Sequence, residues 1–293
     1  MKVSTRKRLN ESLLTFPSFC WLTLFFLIPT LIIFAMAFKP ATVDGSIAEG
    51  WTWRTLLSLK NPNYPEIIWR TVWLSLACTA ITLLLSIPIA YYIARCKPKL
   101  RNFVLFLTII PFWTSFLIRI FAWKEVLHPD GMLRHALIAL HLIEPDTLLL
   151  YSSWSVLLVM VYTELPFAIL PLYSAAEKFE FTLMEAAMDL GANRFRAFCS
   201  IFIPGIRSGL VSACIMVLIP SFGSYVIPDV VGGLHSQMIG NVIAHKTFVD
   251  RNLPAASALS SVLILAMLLP LLGFLKGKKR TPDQEPKPAK EVL

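Results

Sequence analysis

The chain has 293 residues, of which 56% are hydrophobic and only 15% are charged, and its mean hydropathy is +0.66. This composition excludes a soluble domain and predicts that the lipid bilayer is the solvent. The formal net charge of +9 does not indicate nucleic-acid binding, because the Lys and Arg residues stand in short clusters between apolar runs, without base-stacking aromatic residues among them.

Six apolar runs follow one another, and each is long enough to cross about 30 Å of hydrocarbon. The sequence therefore predicts an all-α, polytopic membrane protein with six transmembrane helices. The predicted spans cover residues 16–38, 71–94, 102–123, 150–173, 208–228 and 254–275. The first run ends at Ala35-Met36-Ala37, which resembles a signal-peptide cleavage site, but its apolar stretch is longer than such a peptide needs, so we expect it to be retained.

Basic residues predict the orientation of these spans. If the N-terminus is inside, 18 of the 27 Lys and Arg residues fall on the cytoplasmic side. Both termini are therefore predicted to be cytoplasmic, with a short segment at 1–15 and a Pro- and charge-rich tail at 276–293 that is predicted to be disordered. Between them lie the first span with its aromatic-rich outer loop, 16–70, and the main transmembrane domain, 71–275. We interpret the loop's Trp and Tyr residues as membrane anchors, with contact to an outside protein as the alternative.

No pattern in the chain would bind a metal or activate a nucleophile. Its five cysteines and five histidines are scattered, without a Cys-x-x-Cys pair or histidines at zinc-ligand spacing. A membrane enzyme would need convergent His, Asp or Glu residues at one depth, and the sequence places none together. We therefore predict no catalytic residue, no metal and no cofactor.

The fourth span contains an ionisable side chain, Glu164, near its middle. A charge at that depth is costly, so it is a hypothesis of function by default, here a place on a solute pathway. The rings of Tyr162 and of Trp113 on the third span would add attraction for a cation. The alternative is a carboxyl hydrogen-bonded between helices to a carbonyl freed by Pro166. We expect Arg119, on the third span, to reach the headgroups.

A cytoplasmic loop at 174–207 follows, and its sequence predicts two short helices hinged at a glycine. Thr182 and Glu185 have the spacing of a capping box at the start of the first helix, and Gly191 would supply a left-handed stop. Ala186 and Ala187 leave one face smooth enough to enter a groove on another protein. An ordinary amphipathic hairpin is the alternative.

The fifth span contains Pro220, Gly223 and Pro228, which should interrupt its helix in mid-membrane. Such a break is tolerated against protein or a water-filled cavity, so a gate or binding site is one interpretation and plain bending is the other. The candidate pathway residues in this region are Ser221, Ser224, Tyr225 and Asp229. Asp229 also fits a position at the outer surface.

Glu185-Ala186-Ala187, Gly191 and Ile201-Phe202-Ile203-Pro204 resemble the EAA motif of permease subunits of binding-protein-dependent ABC importers, with Ile203 where Leu is usual. Pro204 would end the second helix of the loop. Other segments, such as 111–119 and 238–241, are similar to spermidine/putrescine permease subunits. The similarity covers most of residues 70–275.

This resemblance implies the type I importer fold in a bacterial inner membrane. It implies a second permease, most simply a different chain, two copies of a cytoplasmic ATPase that hydrolyse the ATP, and a periplasmic binding protein that delivers polyamine. It assigns ATPase coupling to Glu185, Ala186, Ala187, Gly191, Ile201 and Pro204.

One residue departs from the resemblance. Many polyamine permeases look to have an acidic residue after the glycine of the fifth span, where this chain has Ser224. Glu164 would replace that charge from a neighbouring helix, or the solute is an opine, thiamine, ferric iron or a phosphonate. A proton-coupled secondary transporter is the rival of another class, but it has no need of an alanine-faced cytoplasmic helix.

Overall fold

The protein is described here by a computed structural model that covers residues 15–42, 45–57, 59, 63–144, 146–233 and 236–278. The predicted N-terminal segment and most of the tail lie outside the described residues. Within the described residues the chain is helical, apart from loops and an isolated β-bridge between Ala41 and Ile47. The prediction of an all-α protein is confirmed.

The helices differ widely in length, from single turns to more than 30 residues. In chain order they are α1 (15–22), which continues through a π-helical turn (Thr23–Leu27) into α2 (Ile28–Met36), then α3 (Arg54–Leu57), α4 (Asn63–Arg95), α5 (Pro98–Ile109), α6 (Phe116–Leu127), α7 (Met132–Ala139), α8 (Ser153–Glu177), α9 (Thr182–Asp189), α10 (Arg194–Ala197), α11 (Ile203–Gly205), α12 (Arg207–Phe222), α13 (Val226–Val231), α14 (Ile239–Phe248) and α15 (Leu253–Lys278).

Three helices are long and apolar enough to cross a membrane: Thr15–Met36, α4 and α8. The number rises to five if two bent pairs of helices each count as one span. α15 adds a shorter apolar helix at Leu253–Leu268. The lengths and composition of the described helices thus indicate three to five candidate spans, and six spans stays a prediction.

The third predicted span is not one straight helix but a bent pair, which is either one broken span or a re-entrant loop. α5 passes into a 3-10 turn (Ile110–Trp113), and the chain then bends by 93° before α6. Pro111 has no N–H with which to continue the α-helical ladder, and Thr114 and Ser115 are extended. The Thr114 hydroxyl donates to the Pro111 carbonyl at 2.9 Å and closes the turn.

The centre of the fold is a bundle of α4, α8 and α12, which pack on one another along much of their length. Small residues allow this close approach. A Cβ atom added at Gly209 of α12 would lie 2.5 Å from the Ala175 Cβ and 2.9 Å from the Pro171 carbonyl oxygen on α8. Without a hydrophobic driving force between helices in lipid, such contacts are a main source of association.

Replacing Gly209 with leucine should force α12 away from α8, because the first side-chain carbon already collides with backbone. We expect a loss of about 1–3 kcal/mol, typical of overpacking, and a lower melting temperature for the detergent-purified protein. Ser208→Leu on the same helix, at an exposed position, is the matched control. Equal melting temperatures for the two variants would contradict this packing.

Candidate functional site

The first helix of the hairpin at 174–207, α9, begins without a side-chain cap. Phe181 occupies the N-cap position in a helical conformation, and no side chain bonds the first free N–H groups. The predicted capping box at Thr182 and Glu185 is therefore wrong. The reason is that the chain is already coiled before α9: Leu183 N–H donates to Glu180 O and Met184 N–H to Phe181 O, so Thr182 lies inside the helix.

The end of α9 agrees with the prediction. Gly191 has a φ of +93°, which is the left-handed region. Its N–H donates to Met188 O at 2.9 Å, and the Ala192 N–H donates to Ala187 O at 3.0 Å. This pair of bonds is a Schellman motif, which stops the helix and reverses the chain. The Asn193 side chain then accepts the Arg196 N–H at 2.7 Å and starts the second helix.

The hairpin exposes an apolar surface at its tip. Glu185, Ala186 and Gly191 are exposed, and Leu183 and Leu190 on the same helix are 52% and 90% exposed. Positions 183, 186 and 190 share one face of a helix. Exposing large apolar side chains such as these leucines to water is unfavourable, so this face has the character of a docking surface for another protein.

Sequence reasoning named the alanines of this surface but not the leucines. The spacing of Leu183, Ala186 and Leu190 is the signal that would have found them. Ala187 and Ile201 are half-buried. Pro204 is exposed but lies in α11, away from the tip of the hairpin. These three residues are therefore not part of the exposed face formed by Leu183, Ala186 and Leu190. Residues 194–205 as a whole meet α12 at 73°.

Glu164 lies on α8 within the central bundle. Its Oε2 is buried, and the side chain makes no hydrogen bond or ion pair with any residue that the structure describes. The Ser221 hydroxyl of α12 donates to the Cys78 sulfur of α4 at 3.7 Å. The structure therefore joins α12 to α4, in the same bundle as Glu164, through a cysteine that sequence reasoning had taken as structural.

The two aromatic residues predicted beside Glu164 each contact another ring. Tyr162 forms an edge contact with Trp123, with ring centroids 5.3 Å apart. Trp113 is 74% exposed and contacts the ring of Phe106 at 5.5 Å. Trp113 lies just before the bend in the third predicted span. Cation–π recognition at Glu164 by these two rings stays a prediction.

The fifth predicted span is broken where the sequence indicated. α12 ends at Phe222, and α13 begins at Val226. The buried Asn241 of α14 holds the segment between them: its Nδ2 donates to Tyr225 O at 2.8 Å, and its Oδ1 accepts the Met238 N–H at 3.1 Å. Gly240 is needed here, since a Cβ atom would lie 2.6 Å from Ser224 O.

The break leaves polar backbone without helical partners. Pro228 has no N–H to donate to the Ser224 carbonyl, which is the bond a continuous helix would make. Ser224 is half-buried and Tyr225 is exposed. Asp229 lies one turn further on, where its N–H donates to Tyr225 O at 3.1 Å, and it lines a cleft of about 480 Å³ with Tyr151, Gln237 and Asn241. This cleft is at the end of the bundle where α8 begins, opposite the hairpin, which agrees with the alternative position for Asp229.

Residues 86–275 match the family described as binding-protein-dependent transport system inner membrane component. The chain is 38% identical to the spermidine/putrescine transport system permease protein PotB of Haemophilus influenzae, over 89% of this chain and 91% of that protein. It is 34% identical to PotB of Escherichia coli strain K12, over 88% of this chain and 94% of that protein.

The fold also has solved counterparts. A chain of a bacterial ABC transporter involved in the import of the acidic polysaccharide alginate superposes with a TM-score of 0.72 at 18% identity, covering 96% of this chain and 99% of that chain. The same kind of transporter in complex with an alginate pentasaccharide-bound periplasmic protein gives 0.71 at 19% identity, with 95% and 96% covered. At this identity the likeness concerns the fold alone.

Proposed function

This chain belongs to the family of binding-protein-dependent transport system inner membrane components, and from that premise we propose that it is a permease subunit of a polyamine importer. It is a multi-pass inner membrane protein with the permease fold of ABC importers. The names of its relatives support spermidine and putrescine as solutes. Family membership also supports a non-catalytic role, in which a partner subunit hydrolyses the ATP.

The observation that carries the solute assignment is the unpaired carboxylate of Glu164 in the central bundle. A charge buried in the membrane without a partner costs several kcal/mol, so such a group is retained for a ligand or a partner to neutralise. An ammonium group of a polyamine is a suitable ligand. α12 ends beside this region at Phe222, and the carbonyl end of a helix favours cations.

Further residues extend the proposed pathway. Ser221 bonds to Cys78 in the same bundle as Glu164, and Ser224 and Tyr225 lie in the broken segment that follows. Their hydroxyl and carbonyl oxygens are acceptors for ammonium N–H groups. We place Asp229 at the outer entrance, in the cleft with Tyr151, where its carboxylate would meet the solute first.

The hairpin is the proposed coupling element. Leu183, Ala186 and Leu190 would enter a cleft of a cytoplasmic ATPase, with Glu185 at the edge. Gly191 would fix the angle of α9, while Ile201 and Pro204 would fix the return to α12. Closure of the ATPases on ATP would then move α9 and open the cavity at Glu164 outward.

The remaining architecture of the importer is part of the same proposal. It has six spans with both termini in the cytoplasm, a second and different permease subunit, two copies of the ATPase, and a periplasmic binding protein that delivers the solute. The predominance of Lys and Arg residues on the proposed cytoplasmic side supports this orientation.

Uptake by the purified complex in proteoliposomes tests the proposal. We expect ATP-driven accumulation of radiolabelled spermidine that requires the binding protein and is inhibited by putrescine, but not by thiamine or a phosphonate. A cysteine at Ala186, in a background without Cys96 and Cys199, should crosslink to the ATPase, while one at the exposed Leu142 should not. Uptake of a different solute class would overturn the assignment, and crosslinking at Leu142 alone would overturn the docking surface.

A further inference from the structure

An aromatic cluster joins the hairpin to α4, a helix to which the hairpin is not directly linked in sequence. The ring of Tyr91, near the end of α4, lies 5.9 Å from that of Phe181, 5.2 Å from Phe198 and 5.0 Å from Phe202. All three contacts are edge-on, the favoured geometry for aromatic pairs. Phe181 precedes α9, while Phe198 and Phe202 follow α10, so both arms of the hairpin meet on one side chain of α4.

The guanidinium of Arg95 packs against the outer side of the cluster. Arg95, one turn after Tyr91, donates from Nη1 to the Tyr91 hydroxyl at 2.6 Å. Its guanidinium lies 5.6 Å from the centroids of both the Tyr91 and the Phe181 rings. These contacts fix the Tyr91 ring from the hydroxyl end and the Phe181 ring from its face.

The inner side of the cluster is closely packed. Phe202 is fully buried, and Phe198 and Phe202 are stacked 5.3 Å apart. A π-helix at Phe198–Phe202, a feature that often marks functional sites, carries both rings. Phe179 packs on Phe202 and is so close to Gly205 that a Cβ atom there would lie 2.4 Å from the Phe179 ring. Displacement of the hairpin must therefore displace Tyr91.

α4 leads from this cluster to the pathway. Tyr91 and Cys78 are on the same uninterrupted helix, about 20 Å apart at 1.5 Å per residue. Cys78 accepts the hydrogen bond from Ser221 of α12, a residue of the proposed pathway. α4 continues through Pro88 as one helix, so a push on Tyr91 along it reaches Cys78 and, through Cys78, Ser221.

We propose that Tyr91 is a positioning residue for coupling, through which movement of the hairpin is passed to α4 and from there, through Cys78, to Ser221 of the proposed pathway. This inference rests on the proposed docking of the hairpin on an ATPase and adds the route into the membrane. The route is a ring contact between helices, in addition to the covalent connections from the hairpin to α8 and α12.

The test compares Tyr91→Ala with Tyr91→Phe and with Tyr92→Ala, which removes the exposed neighbouring tyrosine of the same helix. In the complete transporter we would measure basal ATPase activity, its stimulation by solute-loaded binding protein, spermidine uptake, and crosslinking from cysteine at Ala186. Tyr91→Ala should keep basal hydrolysis and crosslinking but lose uptake per ATP by roughly tenfold, as expected for a coupling residue. Tyr91→Phe, which keeps the ring, and Tyr92→Ala should behave as the unmodified protein.

Unchanged coupling in Tyr91→Ala would overturn the inference and leave the proposed function intact. Loss of crosslinking and of basal hydrolysis together would also overturn it, since Tyr91 would then only hold the hairpin in shape. If Tyr91→Ala does not assemble, Tyr91→Leu keeps apolar volume without the ring and decides by the same measurements. Failure of the unmodified protein to crosslink at Ala186 would count against the proposed function itself.

Discussion

Replacing Gly191 with proline is expected to abolish solute-stimulated ATP hydrolysis while the protein still inserts and assembles. The reason is local. Gly191 has a φ of +93°, whereas proline is held near −65° and lacks the N–H that Gly191 donates to Met188 O. Without that bond and the left-handed reversal, the chain leaves the end of α9 in another direction, and the exposed face of Leu183, Ala186 and Leu190 turns away from its proposed cleft.

Gly191→Ala tests the left-handed backbone conformation separately from the hydrogen bond to Met188 O. It keeps the N–H, and nothing lies within 4 Å of the added Cβ atom, so the cost is the left-handed backbone alone, about 1–2 kcal/mol. Gly191→Ala should therefore weaken coupling partially. Gly50 is the matched control, because it has a φ of +97° and equally open surroundings in the outer loop. Gly50→Pro should leave ATPase stimulation unchanged.

The measurement is ATPase activity in proteoliposomes with and without solute-loaded binding protein, together with uptake. Glu185→Lys, which reverses a charge on the exposed surface without altering the Schellman motif, should give the same uncoupled phenotype. Full stimulation in Gly191→Pro would mean that the angle of α9 does not matter, and the hairpin would lose its assigned role.

How far the sequence predicts this hairpin depends on which interactions are local. The stop at Gly191 is predictable, because glycine is the residue that adopts a left-handed conformation without cost. The start of α9 is not predictable from Thr182 and Glu185 alone. Phe181 packs on Tyr91 and Phe202, Phe179 packs on Phe202, and this packing accompanies the coiling of the chain before Thr182 reaches the cap position. A contact with a residue 90 positions earlier has no signature in the local pattern.

In the membrane segments, too, features that depend on local sequence were predictable and features that depend on distant contacts were not. Apolar runs locate the helices of the bundle to within several residues, and the Pro and Gly residues of the fifth span correctly predict its interruption. The right-angle bend after Trp113 was missed, because Pro111 indicates a kink but not its size. The contact of Cys78 with Ser221 joins positions 143 residues apart and follows only from the packing of α4 on α12.

Glu164→Gln is expected to raise the apparent Michaelis constant for spermidine about tenfold or more. Glutamine has nearly the same volume and keeps an acceptor oxygen, so the change removes the charge alone. A tenfold change corresponds to about 1.4 kcal/mol of binding free energy, which is modest for a buried charge pair. Uptake by the reconstituted complex over a range of spermidine concentrations gives the constant.

Stability distinguishes this role from a purely structural one. The Oε2 atom of Glu164 is buried in the bundle and has no hydrogen-bond partner among the described residues. Removing an unsatisfied buried charge should not destabilise the fold, so the melting temperature of Glu164→Gln without solute should be equal or higher. A carboxyl that held helices together would give the reverse pattern, with a lower melting temperature and an unchanged Michaelis constant.

Glu177 supplies the control on the same helix. It is partly exposed and pairs with Arg101 at 3.2 Å, near the hairpin end of α8. Glu177→Gln removes a carboxylate from α8 without touching the central bundle, so it should leave the Michaelis constant for spermidine unchanged. If both variants raise the constant equally, the effect reports the total negative charge of α8, and Glu164 is not the group that receives the ammonium. If only Glu164→Gln raises it while stability is kept, the charge at that position is held in the membrane for the solute.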